Sequence, residues 1–177
     1  MSTENLERRE FSFLLHTCNL GEKTRTGVNP FTKETIHFPI DDGLSDSESD
    51  AVLEILESHG FEEPEEEGEG YVLSWSDREC LQLRSGAFEP IAEGISSVEV
   101  ELLSVGTIPD QVLAIILEIA IAGNLALMSP TGEDVRVPAK AKLPQVLKRW
   151  PDAAVIETVD ELRAWLTDTI EGRPVYG

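Results

Sequence analysis

Cysteine is almost missing from this chain: Cys18 and Cys80 are the only two, far apart and in no C-x-x-C pattern. That excludes a disulfide-framework fold and a zinc ribbon. Basic side chains are also scarce, with fourteen Lys and Arg against thirty-four Asp and Glu, a formal net charge of −20. A surface of that sign repels nucleic-acid backbones and anionic membranes, which attract Lys and Arg clusters. No basic-then-apolar signal peptide opens the sequence, since Met1-Ser2-Thr3-Glu4-Asn5 is polar, and a cytoplasmic location is the expectation. The phosphate loop, the dinucleotide fingerprint, the G-x-S-x-G elbow and H-E-x-x-H do not occur.

Long apolar runs are missing too, with one near exception. Val112 to Met128 is apolar enough to suggest a membrane span, but Glu118 interrupts it and Gly123-Asn124 stops it. It reads instead as a buried helix over about 109–122 followed at once by a strand, Leu125 to Met128. Pro109 suits the first turn, with Thr107 or Ile108 as the expected cap residue. Gln111, Ala114, Glu118 and Ala122 share one narrow face, and apolar residues cover the rest. An arc that wide must be covered on most sides. Glu118, in its midst, is expected on the exposed stripe, the alternative being a buried acid lining a pocket.

What the chain does have is a localised anionic segment. Residues 41–101 hold nineteen acidic and two basic side chains, a net of −17, while residues 1–40 are neutral and 102–177 carry −3. Within it, Ser45-Asp46-Ser47-Glu48 is a capping box that starts a helix reaching about His59. The run Glu62 to Glu69 is an acidic loop that cannot pack.

Period-two alternation gives the strands. Phe11, Phe13 and Leu15 form one, and Ile36, Phe38 and Ile40 another, expected to pair as a hairpin across a polar loop from Gly21 to Thr32. Tyr71 to Trp75 and Glu79 to Arg84 read as a second hairpin. Val98, Val100 and Leu102 alternate with Glu99 and Glu101 in a third strand of that group. Asp134 to Val137 is expected to pair back on Leu125–Met128. Lys140 to Arg149 reads as a basic helical segment, and Ala153 to Glu157 as a short strand. Thr158-Val159-Asp160-Glu161 is a second capping box, before a helix with Leu162, Trp165, Leu166 and Ile170 as its stripe and Gly172 as its stop.

The fold class is therefore α+β: a mainly antiparallel sheet of hairpins with three to four helices packed on it, and a central buried helix at about 109–122. Residues 1–8 are expected as a flexible leader, 9–172 as a single domain and 173–177 as a loose tail.

Few residues suggest chemistry. If the first two strands paired, His16, Cys18 and His37 could approach as zinc ligands, but no fourth ligand is evident and ordinary surface residues are the favoured reading. No metal and no cofactor is expected. The acidic loop lacks calcium-loop spacing.

What remains is a non-enzymatic acidic interaction module with a basic protein partner, a homodimer being a further expectation. The expected contact surface is the helix face with Asp46, Asp50, Glu54 and Glu57, together with Glu62, Glu63, Glu65, Glu66, Glu67 and Glu69 of the loop. In charge and size alone the chain is similar to small acidic immunity or antitoxin-like proteins that neutralise basic toxins. The alternative is a small-molecule-binding or enzymatic α+β domain with a pocket beside helix 109–122.

Overall fold

A computed structural model describes residues 7–21, 24–66, 69–85, 91 and 94–176. The fold is a mixed α+β arrangement built on an eight-stranded, mainly antiparallel sheet. The strands are β1 (Arg8–Thr17), β2 (Thr24–Val28), β3 (Thr35–Pro39), β4 (Tyr71–Ser76), β5 (Glu79–Arg84), β6 (Ser97–Val105), β7 (Leu125–Met128), β8 (Val135–Val137), β9 (Ala154–Val155) and β10 (Arg173–Pro174). The helices are α1 (Asp46–Ser58), α2 (Asp110–Ala122), α3 (Leu143–Leu147) and α4 (Val159–Trp165), and α4 continues as one π-type turn over Leu166–Ile170.

The sheet runs β4-β5-β6-β1-β7-β8-β9. One edge of β1 is covered along nearly its whole length by β6, from Arg8↔Val105 to His16↔Ser97. The other edge is shared: β7 takes Leu14 to Thr17 and β10 takes Arg9 and Glu10. Among the described strands only β8–β9 is a parallel pair. Pairing of Arg173–Pro174 with β1 ties down the segment expected to be a loose tail. The expected leader falls largely on residues outside the described set, although Arg8 already belongs to β1.

Alternation along β1 and β7 sorts the apolar residues onto two faces. Phe11, Phe13 and Leu15 of β1 join Leu125 and Leu127 of β7 in a core with Val52 and Leu56 of α1, most of α2, and Leu162, Trp165 and Leu166. The intervening Leu14, Ala126 and Met128 face the other way, against Val135, Val137, Val146 and Trp150. This is the period of two at work: one sequence supplies two cores because neighbouring side chains point to opposite faces.

Both capping boxes form, at Ser45–Glu48 and Thr158–Glu161. In α2 the cap residue is Pro109, one place later than expected, and it makes no side-chain bond. Seven α2 residues from Val112 to Ala120 are buried, and Gln111, Ala114 and Glu118 face solvent as the wheel predicts. Contacts with α1, α4 and β7 cover the flanks of its apolar arc. Ile121 differs: it stands 59% exposed near the C-terminal end of the helix. Among the described residues no helix is long and apolar enough to cross a membrane.

The first hairpin is corrected. Both edges of β1 are occupied, so β3 does not pair with it but with β2, in a separate two-stranded ribbon with register Thr24↔Pro39 to Val28↔Thr35. β2 lies in the stretch expected to be loop. The last helix stops at Glu171, in the left-handed region at φ 54°, one residue before Gly172.

Candidate functional site

Nine of the ten carboxylates expected to form a contact surface are described, and Glu67 lies outside the described residues. Asp46, Asp50, Glu54 and Glu57 all stand exposed on α1, because Val52 and Leu56 turn the opposite stripe into the core. Glu62, Glu63, Glu65, Glu66 and Glu69 are exposed as well. The described part of the loop is anchored at both ends. Phe61 is buried, Glu62 pairs with Val72 as an isolated bridge, and the Glu69 carboxylate accepts from the backbone N–H groups of Glu65 and Glu66. The C-terminal end of α1 runs directly into this loop, so the helix face and the loop are consecutive along one side of the chain.

None of these nine carboxylates is in an ion pair with a described Lys, Arg or His. Elsewhere some acids are paired: Asp110 with Arg163, Asp134 with Arg136, Glu10 with Arg173. Asp42, Asp77, Glu99, Glu133, Asp152 and Asp168 are likewise in no ion pair with a described cation, so what sets this face apart is the density of its carboxylates.

Two polar clusters that the sequence reading missed sit beside it. In the first, the largely buried Asp41 carboxylate accepts from His16 Nε2 at 2.6 Å, from Arg149 and from the Gly21 N–H at 3.2 Å. Trp150 stacks edge-on against His16, with the Arg149 guanidinium 5.4 Å from its ring centre. Burial acts to raise the Asp41 pKa, but the hydrogen bonds from Arg149 and His16 and the guanidinium charge outweigh it and hold the carboxyl below its ordinary value. The cluster joins the end of β1, the foot of the β2–β3 ribbon and the segment after α3.

In the second, Asn19 donates to the Gly43 carbonyl at 2.8 Å and to Glu48 at 2.7 Å, and accepts from Asn124 at 2.8 Å. Burial opposes ionisation of Glu48, yet the Ser45 backbone bond and the Asn19 bond keep its pKa below the usual value. These residues, with Lys142 and Gln145, line an open cleft of about 760 Å³. It meets α2 only through Asn124, past the helix end, and the inward face of α2 is packed core. In both clusters the carboxylates already accept several donors from within the chain, so their observed role is to fasten elements together.

The suggested zinc ligands do not assemble. His16 is engaged with Asp41, Cys18 is buried with its thiol pKa raised to about 11 by burial, and His37 lies exposed on the ribbon. No group of three or more potential ligands occurs among the described residues. Glu118 is exposed, its Oε2 3.0 Å from His59 Nε2, which is the surface position expected of it.

No family model, curated protein or solved structure matches this chain.

Proposed function

We propose that the protein is a non-enzymatic interaction module that docks a basic protein partner in the cytoplasm, in the manner of an immunity or antitoxin-like protein. The observation that supports this reading is the set of nine exposed carboxylates on α1 and loop 62–69, none of them in an ion pair with a described cation. Uncompensated like charges destabilise a compact state by self-repulsion. A partner carrying Lys and Arg relieves that repulsion, and the same field accelerates encounter with it.

The test is capture of proteins from the native host on the immobilised chain, at about 0.05 M and about 0.5 M salt. A basic protein should be retained at low salt and released at high salt. The variant carrying Asp46→Lys, Asp50→Lys and Glu63→Lys should fail to retain it. For the identified pair, the association rate should fall about tenfold or more across that salt range. A partner whose on-rate is indifferent to salt and to the charge reversal sinks the reading.

A small polar ligand in the 760 Å³ cleft beside Asn19, Glu48 and Lys142 is the second reading. It rests on the openness and polar lining of that cleft. A ligand-induced rise in melting temperature that disappears in Lys142→Ala is its signature.

A further inference from the structure

Lys142 differs from the other described lysines. Lys33, Lys140 and Lys148 stand exposed, whereas Lys142 is half-buried. An ammonium that gives up part of its hydration needs a counter-charge, because its desolvation is otherwise uncompensated. Yet Lys142 is in no ion pair with a described Asp or Glu, on a chain of net charge −20. Its side chain lines the cleft of about 760 Å³ beside Asn19.

Two segments of the cleft carry charge of opposite sign. The start of α3 brings Lys142 and Gln145, and the turn into α1 brings Asp42 and Glu48. Both are fastened to the same short stretch after β1. Gln145 Nε2 donates to the Cys18 carbonyl at 2.6 Å, and the Asp42 N–H donates to the Asn19 carbonyl at 2.9 Å. Asn19 further donates to the Gly43 carbonyl and to Glu48, so the cleft is fixed in shape before anything enters it. The charges do not neutralise one another. Lys142 pairs with neither acid, and Asp42 is in no ion pair with a described cation. Glu48 is already occupied, accepting from Asn19 and from the Ser45 N–H, which leaves Asp42 as the open anion.

This pattern selects among ligands. A simple anion meets Lys142 but also the Asp42 and Glu48 carboxylates, two repulsions against one attraction. A simple cation meets Asp42 and is opposed by Lys142. A small molecule carrying both signs can set each against its opposite. We propose that the cleft binds a free α-amino acid, with its carboxylate on the Lys142 ammonium and its ammonium on the Asp42 carboxylate. The Lys142 stem is long and rotatable, so its ammonium can follow the ligand carboxylate. The inference rests on the small-ligand reading of this cleft and names the ligand class.

Titration calorimetry of the full chain with each standard amino acid is the test. At least one should bind with Kd below about 1 mM. For that amino acid, the carboxamide lacks the carboxylate charge and the N-acetyl form lacks the ammonium. Each should bind about tenfold or more weaker than the parent. Lys142→Gln should weaken the free amino acid about tenfold or more and leave the carboxamide nearly unchanged. Asp42→Asn should do the same to the free amino acid and leave the N-acetyl form nearly unchanged. Neither side chain is buried, and a thermal melt of each variant without ligand verifies that it is folded. No binding of any standard amino acid at about 10 mM overturns the proposal. So does a carboxamide or N-acetyl form that binds as tightly as the parent, or a Lys142→Gln variant that weakens the carboxamide as much as the acid. A neutral polar ligand whose melting shift disappears in Lys142→Ala, with no amino acid bound, overturns the amino-acid assignment and keeps the small-ligand reading. Melting shifts that Lys142→Ala leaves unchanged for every ligand overturn both.

Discussion

Asp41 is the side chain on which most depends for its size. It joins residues 25 and 108 positions distant, His16 and Arg149, and its pKa is held below the ordinary carboxylate value. A carboxyl with a depressed folded-state pKa binds its proton less readily when folded than when unfolded. Its stabilising contribution is therefore complete above the unfolded value of about 4 and is lost as pH falls through the folded one. Asp41→Asn should cost about 2–3 kcal/mol at pH 7 in urea unfolding, the scale of charge-assisted hydrogen bonds, and the deficit should shrink toward pH 2. Glu101 has the opposite sign. Its hydrogen bond with Glu10, then burial and the Glu10 charge, raise its pKa. The folded state thus favours its protonated form, and the group contributes stability at low pH that is lost as pH rises through the raised value. Glu101→Gln should raise the melting temperature at pH 7, with the gain vanishing at pH 3. The group is partly exposed and its Arg84 partner stands at 3.5 Å, so the gain should be small.

Elements show how local and distant information divide. Gly172, between the π-type turn and β10, is needed because a Cβ there would sit 2.5 Å from Cε1 of the buried Phe11 ring. Gly172→Ala should cost about 1–3 kcal/mol in chemical denaturation, as over-packed cores do, whereas Gly132→Ala, where the nearest atom is 3.8 Å away, should cost only its positive-φ strain. The sequence showed a helix stop near Gly172 but not this contact, which joins positions far apart in the chain. The same division holds elsewhere. Both capping boxes were legible, because a hydroxyl and a carboxylate three residues apart satisfy each other's backbone groups without outside help. The sheet strands from Tyr71 to Leu102 were legible from clean alternation. β2 was not: Thr24-Arg25-Thr26-Gly27-Val28 has no apolar face, since it covers no core. The exposed carboxylates of α1 and loop 62–69 were legible from composition, because such residues are rarely buried without partners. The Asp41 and Asn19 clusters were invisible, because no local pattern announces a bond across twenty or a hundred positions.

Across the whole molecule the uneven charge dominates. Nineteen acidic and two basic residues between 41 and 101 repel one another at every ionic strength where the Debye length exceeds their spacing. Raising sodium chloride from about 0.01 M to about 0.5 M, which shortens that length from about 30 Å to under 5 Å, should raise the melting temperature by several degrees. Reversal of Asp46, Asp50 and Glu63 to Lys should remove much of that salt response in calorimetry. A salt response unchanged by these reversals would place the repulsion elsewhere.

The shared edge of β1 governs the order of events during synthesis. This strand is made before every strand it pairs with, since its partners are residues 97–105, 125–128 and 173–174. A nascent chain therefore carries Phe11, Phe13 and Leu15 unpaired until most of the sequence has left the ribosome, and the ribbon and α1 are completed before the sheet they flank. A topology so rich in distant pairings places folding toward the millisecond-to-second end of the range, with β1 the segment most in need of protection while it waits.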